Sequence, residues 1–350
     1  MIKTVGVCGY GSTGSSAFID LLHEFDETQV LDMEFLITHF PDGLEDLEYN
    51  LQRSRYSAPV AMRRFKKLVE ARIPRKKGRD EATNEFLDKI IQLSWKGGSP
   101  LLEIYFSSST LRFIKKKMRA FLRRARLSGL LRKNMEKLFF YKLDFSIMPE
   151  NLDEASKFFI ADVLKAMGIN YNDKEKEIIV LNQPFLSRDP LNSFKFFENP
   201  SAIIVDRDPR DNYLFFKYFL FQKAGLGAVP LHNVDDYIKH YRLLRQSSQD
   251  LWKRKDVIRF NFEELVYDCE NTVTKVTDFV GVAKRSHKGE FFKPTHSRNN
   301  TQLFKRYPEC KSEIKKIEQE LKEYIFPFEK YPDIEPEGGM FYGSQLSKQR

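Results

Sequence analysis

The first residues of this chain hold a short β-like run that leads into a glycine-rich loop and then an apolar helix. The run covers residues 4–8, the loop residues 9–16 and the start of the helix residues 17–22. Glycines let the backbone approach a ligand closely, and the free N–H groups at a helix start attract anions. This order predicts a strand–loop–helix unit that binds a phosphate-bearing molecule.

Two ligand-binding motifs fit the same loop. Residues 9–14 match the dinucleotide fingerprint G-x-G-x-x-G, with Asp32 or Glu34 about where the ribose-binding acid is expected. A P-loop, G-x-x-x-x-G-K-[ST], also begins at Gly9, but Ser15 stands at its lysine position. The missing lysine argues against hydrolysis of ATP or GTP and leaves other phosphate ligands open. A tight turn with no ligand is the third interpretation.

Length and composition predict a globular protein that lacks disulfides and metal. The 350 residues are 41% hydrophobic and 14% aromatic, enough for one large α/β domain or two modest ones. The three cysteines, Cys8, Cys269 and Cys310, are far apart, without C-x-x-C spacing. The first strand begins at once, without room for a signal peptide, and no apolar run reaches the roughly 18 residues of a membrane span. We therefore expect a cytoplasmic protein.

The net charge of +9 is concentrated in one segment. Residues 111–135 contain ten Lys or Arg and no Asp or Glu, and apolar residues recur among them at helical spacing. This pattern predicts a basic amphipathic helix. An anionic membrane face, an anionic glycan and nucleic acid are candidate partners, of which nucleic acid is the least expected. Membrane binding would place the protein peripherally at the inner membrane face. The alternative is a solvated helix that packs on the domain by its apolar stripe.

The remaining pattern predicts an α/β fold. Apolar runs at residues 178–181, 202–206 and 257–260 read as buried strands and alternate with helical segments, which is typical of a parallel sheet covered on both faces. Residues 44–143 are helical in character, without clear strands. We expect a single domain over residues 1–331, with a P-loop-like parallel sheet flanked by helices and a large basic helical insertion at about 44–143. Residues 332–350 are predicted to be an irregular tail.

A second phosphate signal follows the strand at residues 202–206. The sequence Arg207-Asp-Pro-Arg-Asp211 places a guanidinium at the carboxyl edge of the sheet, where ligands bind in such folds. The planar fork of arginine matches phosphate bidentately. A dinucleotide fold gives no reason for this motif. The alternative is a structural Arg–Asp network that caps the next helix.

Taken together, these segments resemble the sulfotransferase family, P-loop-fold enzymes that use 3′-phosphoadenosine 5′-phosphosulfate (PAPS), and in particular bacterial glycan-modifying members. Residues 10–17, Y-G-S-T-G-S-S-A, are similar to the family's 5′-phosphosulfate loop. Residues 203–211 are similar to its strand with the R-x-P-x-D motif. Residues 257–266, with 278–281 behind them, are similar to the strand and helix that close its fold.

The resemblance implies a set of cofactor ligands. Arg207 would bind the 3′-phosphate, and the product would be 3′,5′-ADP. The residues implied to cradle the 5′-phosphosulfate are Gly11, Ser12, Thr13, Gly14, Ser15 and Ser16. In the polar segment 293–300, Ser297, Arg298 and Asn300 are implied as further ligands. The reaction implied needs no metal.

The chain departs from the family pattern at catalytic positions. Ser12 stands where many relatives have a Lys or Arg beside the leaving oxygen, and residues 181–185, which include Gln183, offer no histidine base. For the base, Glu34 is our first choice, because other branches of the family place a carboxylate near there. His39 is a further candidate. Ser12 is the candidate at the leaving bridge.

We expect a sulfonate transferase that acts on a carbohydrate hydroxyl. The acceptor would be a cell-surface glycan precursor, either a free carbohydrate or a lipid-linked glycan. One alternative is a catalytically degenerate sulfotransferase fold that binds nucleotide, glycan or membrane. A second is an NAD(P)-binding Rossmann oxidoreductase.

Overall fold

The computed structural model describes residues 2–341 except 54–55, 77, 100, 125–138, 172, 174, 223–226, 228, 248–249, 252–253, 333–335 and 337. The chain divides into two compact units. One, here called the sheet unit, combines Met1–Leu36 with Gly168–Arg350. The other, called the helical unit, is Ile37–Met167.

Seven strands are found in the described part of the chain. They are β1 (Lys3–Gly9), β2 (Thr28–Glu34), β3 (Leu93–Gly97), β4 (Tyr141–Phe145), β5 (Ile178–Asn182), β6 (Pro200–Asp206) and β7 (Val257–Asn261).

The α-helices are α1 (Ser15–Leu22), α2 (Leu44–Leu51), α3 (Ser57–Arg72), α4 (Arg79–Ile90), α5 (Glu103–Phe106), α6 (Ser109–Arg124), α7 (Leu152–Ala166), α8 (Leu191–Phe194), α9 (Pro209–Leu214), α10 (Val234–Arg245), α11 (Phe262–Tyr267), α12 (Cys269–Val280), α13 (Pro294–Ser297), α14 (Leu303–Arg306) and α15 (Lys311–Glu320). A π-helix, Phe215–Phe221, continues α9. Short 3₁₀ turns cover Arg298–Asn300, Pro308–Cys310, Lys322–Tyr324 and Phe328–Lys330.

The sheet unit is built on a five-stranded parallel sheet in the order β2-β5-β1-β6-β7. Helices α1, α11 and α12 pack against it through a continuous apolar core, in which Phe18 and Leu265 meet Val5, Val205 and their neighbours. A second buried cluster joins α9, α10 and α15. The predicted α/β class, a parallel sheet flanked by helices, is confirmed.

The strand order contradicts the dinucleotide-fold interpretation of the first loop. In the Rossmann order 3-2-1-4-5-6 the first two strands are neighbours, so that the acid after the second strand reaches the ribose. Here β1 pairs with β5 and β6, while β2 lies at the sheet edge beyond β5. Asp32 and Glu34 are therefore separated from β1 by a whole strand. The G-x-G-x-x-G match in this loop does not report a Rossmann site.

The helical unit has an aromatic core of its own. Helices α4 and α7 pack together, and the rings of Phe65, Phe86 and Phe159 lie with centroids 4.8 to 5.5 Å apart. Because α7 packs on α4, this unit extends beyond the predicted insertion at 44–143. Among the described helices of either unit, none is both long and apolar enough to cross a bilayer.

The prediction that residues 44–143 hold no strands is wrong. Strands β3 and β4 form an antiparallel pair in which Leu93 lies opposite Phe145 and Trp95 opposite Leu143. The second strand alternates apolar and charged residues over 141–145, a period typical of a strand. The two strands are far apart in sequence, so no hairpin turn marks them.

Candidate anion-binding site

The loop after β1 is shaped by residues in the left-handed backbone region. Gly11, Ser12 and Gly14 have φ values of 91°, 52° and 86°. Successive turns of this kind make a concave backbone that suits anions. Gly14 directly precedes α1, so this concavity lies at the N-terminus of the helix, where free N–H groups and the helix dipole favour negative charge.

Side chains fix the loop from two sides. The Thr13 hydroxyl accepts a hydrogen bond from the Tyr10 N–H at 3.2 Å. Gln183, which follows β5, accepts from the Gly9 N–H at 3.1 Å and donates to Ser15 Oγ at 3.2 Å. Thr13 is buried, and its hydroxyl holds the loop together rather than facing the cavity described below. Gln183 likewise has a positioning role, which sequence reasoning noted only as a missing histidine.

Arg207 lies at the carboxyl end of β6 and is only 2% exposed. Its Nη1 donates to the Ser12 carbonyl at 3.0 Å, and its Nη2 donates to the Asn300 carbonyl. Its Nε is buried and has no hydrogen-bond partner among the residues that the structure describes. The guanidinium lies 4.8 Å from the ring centroid of Phe215 and 5.7 Å from that of Phe262. No carboxylate of the described residues forms an ion pair with it, although Asp211, Glu263 and Asp208 lie close enough for their charges to act on it.

The rest of the R-D-P-R-D motif is structural. Arg210 pairs with Asp208 and with Glu318, each at 2.8 Å. The Asp211 carboxylate accepts from the N–H groups of residues 302 and 303, each at 2.7 Å. The interpretation of the motif as a structural Arg–Asp network that caps the helix fits Arg210 and Asp208, whereas Asp211 holds backbone N–H groups instead. It does not describe Arg207.

Burial changes the pKa values of Arg207 and of the acids near it. Loss of solvation raises the pKa of Asp211 to about 7, and the neighbouring Asp208 contributes in the same direction. Burial also raises the pKa of Glu263, again with Asp208 contributing. The same cause lowers the pKa of Arg207. A protonated Asp211 leaves the positive charge of Arg207 less compensated.

This gives a pH prediction. The pKa of Asp211 is about 7 in the folded protein against 3.8 for the ordinary group, so between these values the folded state holds a proton that the unfolded chain has released. The contribution of Asp211 to the free energy of unfolding therefore falls as pH rises from about 4 to 7, by roughly 1–4 kcal/mol. Urea unfolding of wild type and Asp211→Asn at several pH values measures it. A wild-type-minus-variant difference that stays constant with pH would contradict it.

A cavity of about 780 Å³ opens beside the loop within the sheet unit. Of the site residues predicted from the sequence, its lining includes Gly11, Ser12, Gly14, Ser15, Ser16, Glu34, Arg207, Ser297 and Asn300. The structure thus brings together the two phosphate signals and the segment after α12. Thr13 and Arg298 are not among the lining residues. His39 belongs to the helical unit and is not among them either.

The acids after β2 differ in their surroundings. Asp32 Oδ1 lies 2.8 Å from His23 Nε2, so this carboxylate already has a partner. Glu34 is exposed at the cavity and has no side-chain hydrogen bond or ion pair to any described residue. In the sheet register Glu34 lies opposite Asn182. Of the two acids, only Glu34 has a carboxylate not engaged by another side chain.

Comparison with known proteins gives fold neighbours only. No family model matches this sequence. No curated protein matches it either. Among solved structures, the chain is similar to a sulfotransferase domain from the curacin biosynthetic pathway, with 14% identity, a TM-score of 0.37 and coverage of 93% of this chain and 98% of that one. It is also similar to retinol dehydratase in complex with androsterone and the inactive cofactor PAP, with 12% identity, a TM-score of 0.33 and coverage of 96% and 83%.

One wall of the cavity comes from a segment that sequence analysis assigned to an irregular tail. Phe341 lines the cavity, and its ring centroid lies 4.0 Å from that of His296. The Phe341 N–H donates to Asn300 Oδ1 at 3.1 Å, and Asn300 Nδ2 donates to the Phe341 carbonyl at 2.9 Å. The sequence signal that could have indicated this packing is a phenylalanine within a Pro/Gly/Ser-rich stretch. Residues 342–350 lie outside the described residues.

The cavity combines a basic, hydroxyl-rich end with an aromatic wall. Phe215, Phe216, Phe262 and Phe341 contribute aromatic rings, and the loop serines and Arg207 contribute donors. Such a lining suits a ligand with a flat apolar part and anionic groups. Within the described ranges, no group of three or more His, Cys, Asp or Glu is arranged to hold a metal ion.

Proposed function

We propose that this protein transfers a sulfonate group from PAPS to a hydroxyl of a carbohydrate acceptor. The observation that carries the proposal is Arg207, a buried guanidinium beside the loop that has no ion-paired carboxylate and an unpartnered Nε among the described residues. Burial raises the pKa values of the nearby Asp211 and Glu263, which weakens their compensation of this charge, so a ligand phosphate would stabilise it. A 3′-phosphate is such a ligand, and it distinguishes PAPS from ordinary adenine nucleotides.

The residues of the cavity fit the donor set that PAPS requires. The N-terminus of α1 and the hydroxyls of Ser12, Ser15 and Ser16 would hold the 5′-phosphosulfate, and Arg207 would hold the 3′-phosphate. Aromatic walls at Phe215 and Phe262 offer surfaces for the adenine. PAPS supplies the activated sulfonate, and 3′,5′-ADP is the leaving group.

Glu34 is the residue we propose as the general base. Sulfonate transfer needs a group that accepts the proton of the attacking hydroxyl, and that group must lie within reach of the acceptor. Glu34 faces the cavity with a carboxylate that no described side chain engages, whereas Asp32 is held by His23. Asn182 also lines this end; its Nδ2 donates to the Asp32 carbonyl at 2.7 Å, and its side-chain oxygen can accept a hydrogen bond from an acceptor hydroxyl. These polar groups support a carbohydrate acceptor.

Calorimetric titration tests the cofactor assignment. We expect 3′,5′-ADP to bind about 30-fold or more tightly than 5′-AMP, because the 3′-phosphate adds charge-assisted hydrogen bonds to Arg207. NADH and ATP, which lack a 3′-phosphate, should bind no better than 5′-AMP. Equal affinity for 3′,5′-ADP and 5′-AMP would exclude the proposal.

A second candidate is a nucleotide-binding protein of the same fold that does not catalyse transfer. The observation that favours it is Gln183, whose amide is occupied in holding the loop at the position where relatives have a histidine base. Ser12 adds to it, because it stands where many sulfotransferases have a Lys or Arg. Incubation with PAPS labelled in the sulfonate and with bacterial glycan extracts separates the two. Tight 3′,5′-ADP binding with no labelled glycan would favour this second candidate.

A further inference from the structure

Helix α6 of the helical unit turns polar side chains toward its neighbour. Lys115 is buried and donates from Nζ to Ser107 Oγ at 3.1 Å. Arg119 pairs with the carboxylate of Glu103 in α5. The contacts that fix α6 on α5 are therefore charged and polar. This is the reverse of what an amphipathic helix packed by its apolar stripe would show.

The apolar stripe of α6 is exposed instead. Phe113 is 61% exposed, Ile114 45% and Phe121 63%. At about 100° per residue, positions 111, 114, 118 and 121 share an arc of roughly 80°, and Phe113 lies roughly 80° beyond position 121, with Lys117 between them. Ile104 of α5 is also exposed, and its carbonyl accepts a hydrogen bond from Arg112 Nη1 at 3.2 Å. We name this surface the basic apolar face; its apolar members are Ile104, Leu111, Phe113, Ile114, Met118 and Phe121.

Positive charge surrounds these apolar side chains. Residues 104–124 contain seven Lys or Arg and no Asp or Glu. Lys116 and Lys117 are exposed, and Lys117 Nζ lies 5.5 Å from the ring centroid of Phe113. A cluster of exposed large apolar side chains marks an interaction site, and its flanking charge selects an anionic partner.

Exposed apolar side chains together with positive charge indicate which kind of partner this surface binds. Nucleic acid or an anionic glycan would neutralise the lysines but leave Phe113 and Phe121 in water. A bilayer with anionic headgroups accepts both, because the apolar arc enters the acyl boundary while the basic side chains reach the phosphates. We propose that the basic apolar face docks on an anionic lipid bilayer, with α6 lying in the plane of the interface. This inference does not depend on the nucleotide chemistry of the sheet unit.

Vesicle co-sedimentation tests the docking. The full chain should bind vesicles of phosphatidylcholine and phosphatidylglycerol mixed in equal parts and should not bind phosphatidylcholine alone. Phe113→Ser/Phe121→Ser should weaken binding about tenfold or more, because two apolar side chains no longer leave water. Lys116→Glu/Lys117→Glu should weaken it more than roughly 30-fold, because the loss of two lysines at about 1 kcal/mol each already gives that factor and the two new carboxylates add repulsion.

The chain offers matched controls for both variants. Phe158 on α7 is 53% exposed and has Lys89 Nζ 5.0 Å from its ring centroid, an environment like that of Phe113. Phe158→Ser should therefore bind as wild type does. Lys311→Glu/Lys315→Glu changes charge equally at an exposed site on α15. The proposal would be overturned if the protein bound neutral and anionic vesicles equally well. It would also be overturned if Phe113→Ser/Phe121→Ser bound as wild type does, or if the control variants lost as much binding as the test variants. Failure to bind 3′,5′-ADP would not affect it.

Discussion

Arg207→Ala is expected to abolish the preference for 3′,5′-ADP over 5′-AMP, with a loss of roughly 2–4 kcal/mol in the binding of 3′,5′-ADP alone. The guanidinium is the buried cation at this end of the cavity that lacks a carboxylate partner among the described residues. Without it, the 3′-phosphate would be desolvated with no compensating charge. The affinity for 5′-AMP, which lacks that phosphate, should change little. Calorimetry of both nucleotides on both proteins gives the result directly.

Because Arg207 also bonds the carbonyls of Ser12 and Asn300, damage to the fold must be separated from loss of a ligand contact. Arg207→Lys keeps a positive charge without the planar fork and should retain part of the preference. Arg254→Ala removes an exposed arginine that pairs with Asp256 and should leave both affinities intact. If Arg207→Ala weakened both nucleotides to the same extent, the residue would be a scaffold rather than a phosphate ligand.

Gly14→Ala should destabilise the protein far more than Gly281→Ala. The two glycines have nearly identical φ values, 86° and 85°, so the left-handed strain of about 1–2 kcal/mol is common to both. A Cβ at Gly14 would lie 2.4 Å from a ring carbon of Phe262, whereas a Cβ at Gly281 would meet nothing within 4 Å. Overpacking of this kind costs roughly a further 1–3 kcal/mol. The difference in the free energy of unfolding between the two variants, measured in urea, gives the cost of that overpacking.

Phe262, the residue that the new methyl group would contact, provides the control for the Gly14→Ala variant. In Gly14→Ala/Phe262→Ala the two ring atoms nearest the new methyl group are gone and only the Cβ of residue 262, at 2.9 Å, remains, so adding the methyl should cost less than in the wild-type background. Equal destabilisation by Gly14→Ala and Gly281→Ala would show that the loop yields to the added atom.

The sequence predicted the sheet unit well because its signals are local. Buried apolar runs predicted β5, β6 and β7 to within about two residues. The apolar spacing over 262–280 is compatible with one continuous helix, but the structure breaks it at Asp268, between α11 and α12. A break of one residue leaves the apolar period almost unchanged, so periodicity alone does not detect it.

The parts that the sequence did not give depend on contacts between distant residues. The pairing of β3 with β4 joins segments more than forty residues apart. The predicted basic helix at 111–135 is described as α6 only to Arg124, and residues 125–138 lie outside the described residues. The sequence also could not predict that the apolar stripe of α6 is exposed, because the spacing of the apolar residues is the same for a buried stripe and an exposed one. The direction is set by Lys115, which bonds to Ser107 directly after α5, and by Arg119, which pairs with Glu103 in α5.

The contact between Phe341 and the turn at Asn300 has a practical consequence for where the protein can be cut. Composition places the natural boundary at residue 331, and a shortened protein ending there would keep all the strands and helices of the described residues. It would nevertheless lose the hydrogen bonds to the Asn300 side chain and the aromatic ring that closes one side of the cavity. A recombinant version meant for nucleotide binding should therefore retain residues 338–341.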